Sequence, residues 1–295
     1  MARDETDGRE YRIRAMTRPE MDFAIDLAAA EGWNPGQHDA DAFRTADPAG
    51  FLIGLLGGEP IGCVSAVSYA GGFGFLGLYI VAPRYRGQGH GIQLWNAAMQ
   101  RLSDHNVGLD GVVAQQENYR RSGFVLAYRN VRFEGYGDHG DHGDHGGGAA
   151  PTDLVDARAV PFEMVCAYDR RVFPAARPEF LRAWIDAPGT RALASLAGNT
   201  LRGYGAIRPC RTGFKIGPLF ADTPGIAEAL YRGLSSHAPA GSPVYLDAPE
   251  VNPGAMALPE RYGMRRVFET ARMYTGIAPE VEMDCVFGVT TFELG

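Results

Sequence analysis

The stretch that most narrows what this chain can become runs over residues 75–102. Residues 75–81, FLGLYIV, are all apolar or glycine, which suits a strand covered on both faces. Pro83 has no N–H to give to a ladder, so the strand should end near Ala82. Arg86, Gly87, Gln88, Gly89, His90 and Gly91 follow. Behind them Ile92, Trp95, Met99 and Leu102 recur at spacings of three and four, which is one apolar face of a helix. The order strand, glycine loop, helix places free backbone N–H groups at the positive end of a helix, where phosphate and pyrophosphate bind. Glycine lets such a loop take positive φ and approach the anion closely.

Two common phosphate loops do not fit. The dinucleotide fingerprint needs G-x-G-x-x-G and an acidic residue about 20 positions later. Here the spacing is G-x-G-x-G, and no such acidic residue follows. The P-loop needs a lysine after its last glycine, and none is near. A third pattern does fit: (R/Q)-x-x-G-x-(G/A) directly after a buried strand. Arg86, Gly89 and Gly91 match it, and Val81, Pro83 and Tyr85 stand as V-x-P-x-Y. In these residues the chain resembles the GNAT superfamily of N-acetyltransferases.

The resemblance implies acetyl-CoA as acyl donor and no metal. It implies that the long strand and the next one splay apart, and that the pantetheine arm pairs with the backbone of Tyr79, Ile80 and Val81. Residues 86–91 would cradle the pyrophosphate, with His90 on the phosphate side or the surface rather than acting as a base. The family's Y-x-x-x-G-F pattern is present as Tyr119 to Phe124, and it implies that Tyr119 protonates the leaving thiolate. The other reading of Tyr119 is a packed tyrosine with its hydroxyl on a backbone carbonyl. The family usually has an asparagine seven residues earlier. Val112 stands there, so the helix should be short, with Asn118, Gln115 and Gln116 as polar substitutes. The strand 75–81 carries no acid. On the acceptor side Glu31 is a candidate base and Trp33 a candidate pocket wall, because the loop after the first helix often lines that pocket in this fold.

The chain has 295 residues, 45% of them hydrophobic, enough for two domains with real cores. The net charge of −7 argues against a nucleic-acid partner. No apolar run approaches the ~18 residues of a membrane span, and the charged N-terminus lacks a secretory core. Cys63, Cys166, Cys210 and Cys285 are scattered, as buried free thiols in the cytoplasm would be. A single lysine, Lys215, stands among 28 basic residues; the rest are arginine.

Along the chain, strands are expected at 11–14, 51–56, 61–69, 75–81, 109–114 and 124–133, the last closing the first unit. Helices are expected from Thr17 to Glu31, over 39–43, through 90–102 and over 116–122. Residues 135–150 then repeat Asp-His-Gly three times. Such a tract builds no core and reads as a linker. Metal binding by His139, His142 and His145 is the alternative.

The second half repeats the element order of the first. Strands are expected at 153–160, 191–196, 201–207, 214–220, 244–246 and 267–274, with helices between them, one capped by Asp222 or Thr223 and another by Asn252. Its long strand is followed by Ala221-Asp222-Thr223-Pro224-Gly225, which would repel a phosphate, and Pro259 stands in the place of Tyr119. The chain thus resembles tandem GNAT proteins: α+β, two GNAT-like domains with twisted, mostly antiparallel sheets. The expected boundaries are 9–136 for an intact domain, 137–152 for the linker and 153–295 for a degenerate domain. Lys215, Asp247 and Glu269 at second-half strand ends either complete the acceptor pocket or are solvated charges. The expected function is transfer of an acetyl group to a primary amine, of a small molecule, by direct attack in a ternary complex. A non-catalytic acyl-CoA sensor and a transferase for a different acyl donor are the alternatives. The sequence is silent on oligomeric state.

Overall fold

The computed structural model describes residues 9–137 and 153–295. The first half contains β1 (Tyr11–Ala15), α1 (Arg18–Ala30), α2 (Asp39–Ala46), β2 (Phe51–Leu56), β3 (Glu59–Tyr69), β4 (Phe73–Val81), α3 (His90–Arg101), β5 (Asn106–Val112), α4 (Gln116–Arg121) and β6 (Val125–Tyr136). The second contains β7 (Asp153–Asp156), α5 (Phe162–Val172), α6 (Pro178–Asp186), β8 (Arg191–Ala197), β9 (Thr200–Pro209), β10 (Phe214–Ala221), α7 (Pro224–Ser235), β11 (Pro243–Pro249), α8 (Pro253–Arg261), β12 (Arg265–Tyr274) and β13 (Val286–Gly288). The repeated element order is present. The Asp-His-Gly tract with His139, His142 and His145 lies outside the described residues. Gly137, the first residue of the expected linker, donates its N–H to Ser242 O at 2.8 Å.

Local chemistry explains the helix starts. Glu20 accepts the Thr17 N–H at 2.8 Å and so closes the entry to α1. Met21, Ala24, Ile25 and Ala28 then bury one face of that helix. Asn252 accepts the N–H groups of Gly254 and Ala255 at 2.9 and 3.1 Å and starts α8.

The thirteen strands among the described residues form one sheet, in the order β1-β2-β3-β4-β5-β12-β6-β11-β10-β9-β8-β7, with β13 added on β10. The strand expected to close the first unit does not do so. β6 pairs with β11 from Asn130↔Pro249 to Tyr136↔Pro243, and also with β12. β12 in turn pairs with β5, Thr270 opposite Val112 and Tyr274 opposite Gly108. The two halves have exchanged their last strands. Two copies of one fold present similar edges to either closing strand, so the exchange joins the two sheets into one.

One face of the sheet carries a single core, from α1 and α2 through α5 and α6 to the C-terminal segment. Phe43 of α2 stacks on Trp184 of α6 at 6.0 Å across the boundary. On the other face α3 packs over the first half, and α7 and α8 over the second, as two separate clusters. No helix among the described residues is long and apolar enough to cross a membrane.

Candidate active site

β4 and β5 run parallel over only four residues, Phe73–Leu76 against Asn106–Leu109. Beyond that apex β5 turns to β12, and the edge of β4 from Gly77 to Val81 has no strand partner among the described residues. Its other edge stays on β3, but the register slips: Cys63 faces Ile80 and Ser65 faces Gly77, so Leu78 and Tyr79 share one partner. This is a bulge, with Leu78 at φ 46°. The Cys63 thiol donates to Leu78 O at 3.1 Å and fixes it. A bulge re-aims main-chain groups, and here Tyr79, Ile80 and Val81 lie on the open edge.

The glycine loop joins this edge to α3. Gly87 and Gly89 sit at φ 77° and 83°, and Gly89 is the N-cap. A Cβ on Gly91 would fall 2.8 Å from the Tyr79 hydroxyl, so glycine lets α3 start directly against β4. Arg86 donates its Nε to Val81 O at 2.7 Å and pairs with Glu31. That pairing places Glu31 at the loop. Gln88 donates to Arg84 O at 3.0 Å. The His90 ring turns back to Tyr11, 4.6 Å away, leaving only its main chain at the helix start. α4 is short, as Val112 implied. Asn118 is exposed on it and donates to Gln115 Oε1 at 2.6 Å.

Tyr119 enters the apex from the α3 face. A Cβ on Gly111 of β5 would fall 2.2 Å from its ring, so that glycine makes the room. The ring stacks on Trp95 at 5.7 Å, and Trp95 meets Tyr79 edge-on at 5.4 Å. Burial, with the nearby Tyr79 hydroxyl, pushes the Tyr119 pKa up to about 12. Its hydroxyl has no hydrogen-bond partner among the described residues. It therefore keeps its proton at any ordinary pH and is available to a ligand.

In the second half the corresponding slot is filled by the chain itself. β10 and β11 pair in parallel only over Phe214–Ile216. Past that point β13 lies against β10, Leu219 opposite Gly288 and Phe220 opposite Val286, and the Val289 N–H donates to Asp247 O of β11 at 2.9 Å. The sequence reading missed β13. Its only signal was the short apolar run at 286–289. At the entry to α7 Thr223 caps the Ile226 N–H and Pro224 removes another donor, so no anion loop exists there.

Three of the acceptor-side candidates come together, by way of the second half. Lys215 of β10 donates to Asn34 O at 3.0 Å and more distantly to Trp33 O. Asp247 of β11 binds Arg132 of β6 through both oxygens, at 2.7 and 2.8 Å, and Arg132 also donates to Trp33 O at 2.8 Å. Arg208 and Asp39 form a second buried pair at 2.8 and 3.1 Å. The α1–α2 loop is strapped further by Gln37 N–H on Pro209 O and Arg211 N–H on Pro35 O, both at 3.0 Å. Burial and the neighbouring Arg132 lower the pKa of Lys215. Burial works to raise Asp247, but the Arg132 guanidinium overrides it and holds the carboxyl below the usual range. Glu269 is elsewhere, exposed and paired with Arg129 at 2.5 Å. Arg132 and Arg208 were not singled out from sequence.

At the apex itself, on the face opposite Tyr119, Asp110 of β5 receives both Arg272 nitrogens at 2.9 and 2.5 Å and Asn130 Nδ2 at 2.8 Å. A cavity of about 30 Å3 borders Arg272, Arg177 and Tyr128. That volume holds a water molecule. No group of three His, Cys, Asp or Glu among the described residues is placed to hold a metal.

A strand edge left open beside a glycine-capped helix defines an acyl-CoA-dependent transferase fold. The description "Acetyltransferase (GNAT) family" matches residues 14–124, and "Acetyltransferase (GNAT) domain" matches residues 165–288. A curated relative, "Holothin acyltransferase" of Pseudoalteromonas sp. (strain SANK 73390), is 30% identical over 94% of this chain and 92% of its own. The chain belongs to the GNAT superfamily, with two GNAT domains in tandem. A putative acetyltransferase from Pyrococcus horikoshii superposes with a TM-score of 0.79, at 23% identity over 97% of this chain and 96% of that one. A tandem GNAT protein from the clavulanic acid biosynthesis pathway gives 0.64, at 15% identity over 92% and 100%. These two likenesses concern the fold alone.

Proposed function

We propose that the first half binds acetyl-CoA and passes its acetyl group to a primary amine of a small molecule, by direct attack in a ternary complex. The observation that carries this reading is the contrast between the halves: the edge of β4 is open beside its glycine loop, while the edge of β10 is covered by β13 and has no such loop. Pantetheine pairs with Tyr79, Ile80 and Val81. Residues 86–91 hold the pyrophosphate, with Arg86 exchanging Glu31 for phosphate. Tyr119 donates a hydrogen bond to the departing sulfur. At a pKa near 12 its full transfer of a proton to a thiolate is uphill, so it stabilises the leaving charge while solvent supplies the proton. The domain bounds follow the two halves, with 9–136 carrying the cofactor. The second half acts on the acceptor side by fixing the Trp33 loop through Lys215 and the Arg132–Asp247 pair. A small acceptor suits a loop held this firmly. The relative named as a holothin acyltransferase supports a small-molecule acceptor and leaves the acyl group wider than acetyl. Four free cysteines fit a cytoplasmic setting.

Calorimetry with acetyl-, propionyl- and succinyl-CoA, followed by thiol release with a panel of amines, tests the reading. One molecule of acetyl-CoA per chain and amine-dependent release are expected. Binding without release with any amine would make the protein a sensor, and preference for a longer acyl-CoA would change the donor.

A further inference from the structure

β4 offers no acid, yet a proton must leave the acceptor nitrogen. The carboxylates near the site are mostly held by arginines: Glu31 by Arg86, Asp39 by Arg208, Asp110 by Arg272 and Asp247 by Arg132. A carboxylate held in a guanidinium fork is a poor proton acceptor, because protonation costs the whole pair. One buried carboxylate near β4 differs. After β13 the chain crosses the sheet to the first half. Ser65 of β3 donates to Glu293 O at 3.4 Å, and Tyr69 donates to Leu294 O at 3.1 Å. Glu293 is 5% exposed. Its carboxylate accepts the Thr291 hydroxyl and forms no ion pair among the described residues. The charged groups that sense it are Arg132 of β6 and Arg208 of β9, both already engaged by aspartates.

Its place along β4 is the telling feature. A Cβ on Gly77 would fall 2.3 Å from Glu293 O and 3.0 Å from its Cα, so glycine there lets the C-terminal segment lie directly on the strand. Gly77 is the first β4 residue past the last pair with β5, Leu76↔Leu109. A pantetheine arm running from the loop past Val81, Ile80 and Tyr79 delivers its acyl group to this apex. Tyr119 reaches the apex from the α3 face. The C-terminal segment lies on the other face, with the α1–α2 loop.

We infer that Glu293 is the proton acceptor for the attacking amine, supplied to the first half's reaction by the segment that closes the second half's slot. The assignment rests on the transfer reading above. The neutral amine nitrogen bonds to the thioester carbonyl carbon and its proton passes to the Glu293 carboxylate. The C–S bond breaks, and the sulfur leaves as a thiolate hydrogen-bonded by Tyr119 and takes a proton from water. Glu293 returns its proton to solvent after amide release.

Glu293→Gln keeps the size of the side chain and removes the base. Acetyl-CoA binding should be unchanged by calorimetry, while kcat falls about 100-fold or more. The log kcat of the variant should climb with pH across the range where the parent is flat, because only amine already neutral and able to shed its proton to water reacts. If Gln disturbs folding, Glu293→Asp serves instead. It shortens the reach by one methylene and should lose about 10-fold in kcat with the parent's pH profile retained. A kcat within threefold of the parent in the variant that folds, or a parallel pH profile in the Gln variant, overturns the assignment and leaves the transfer reading standing. A parent enzyme that releases no thiol with any amine overturns both.

Discussion

At the scale of residues, Tyr119→Phe removes a hydroxyl with no partner among the described residues and leaves the stack on Trp95. Stability should stay within about 0.5 kcal/mol while kcat falls about 10- to 100-fold, since a thiolate leaves readily and needs only part of an acid's usual help. Thermal unfolding beside thiol release checks both. The Arg132–Asp247 pair behaves differently. Asp247→Asn strands a buried guanidinium and should cost about 3–5 kcal/mol in a urea titration. The pH sign follows from the lowered carboxyl. Its stabilisation is complete above the unfolded aspartate pKa and is lost as pH falls through the lower folded value. Lys215 gives a slope of the same sign, in a higher pH range. Its folded pKa is lowered, so the unfolded chain binds more protons between the two values and stability rises with pH there. Lys215→Met should flatten that alkaline rise. Lys215 and Asp247 were legible as charges at strand ends, and Trp33 as a candidate pocket wall after the first helix. Arg132 and Arg208 were not, because arginine is nearly the only cation in the chain and none stands out by type.

At the scale of elements, the strand–loop–helix unit was fully legible. Its signal is glycine spacing and apolar run, and both depend on local backbone geometry alone. Gly89→Val would force a β-branched residue to φ 83°, and Gly91→Leu would drive a side chain into Tyr79. Each should abolish acetyl-CoA binding by calorimetry while the fold persists. Residual binding at one site per chain would locate a site in the second half. β13 escaped the sequence reading for a different reason. Three residues carry no period, and what makes them a strand is the unpaired edge of β10, more than 60 residues earlier in the chain. Glu293 escaped with it, because its neighbours in space belong to β3 and β4.

At the scale of the molecule, the duplicated order was visible, and the exchange of closing strands was not. Residues 125–136 and 265–274 look like strands whichever sheet they join, since side-chain alternation is blind to the partner. The consequence is physical interdependence. A fragment ending at residue 137 lacks β12, leaving β5 with an edge, and lacks the segment that covers Gly77. Expressed alone, it should show no cooperative unfolding by circular dichroism. Co-expressed with residues 153–295 it should copurify as a stoichiometric, acetyl-CoA-binding pair. Independent folding of the first fragment would mean that β6 can return to its own sheet.

The covered slot also has a use in chemical design. Between β10 and β11 the protein displays, in its own covalent chain, how an extended amide backbone seats itself where two such strands diverge, down to the Val289 N–H on Asp247 O. A pantetheine arm is likewise a short run of amides. A peptide copied from residues 286–289 and linked to adenosine diphosphate is therefore a lead ligand for the open slot of the first half. It should compete with acetyl-CoA and lose its effect when the diphosphate is removed.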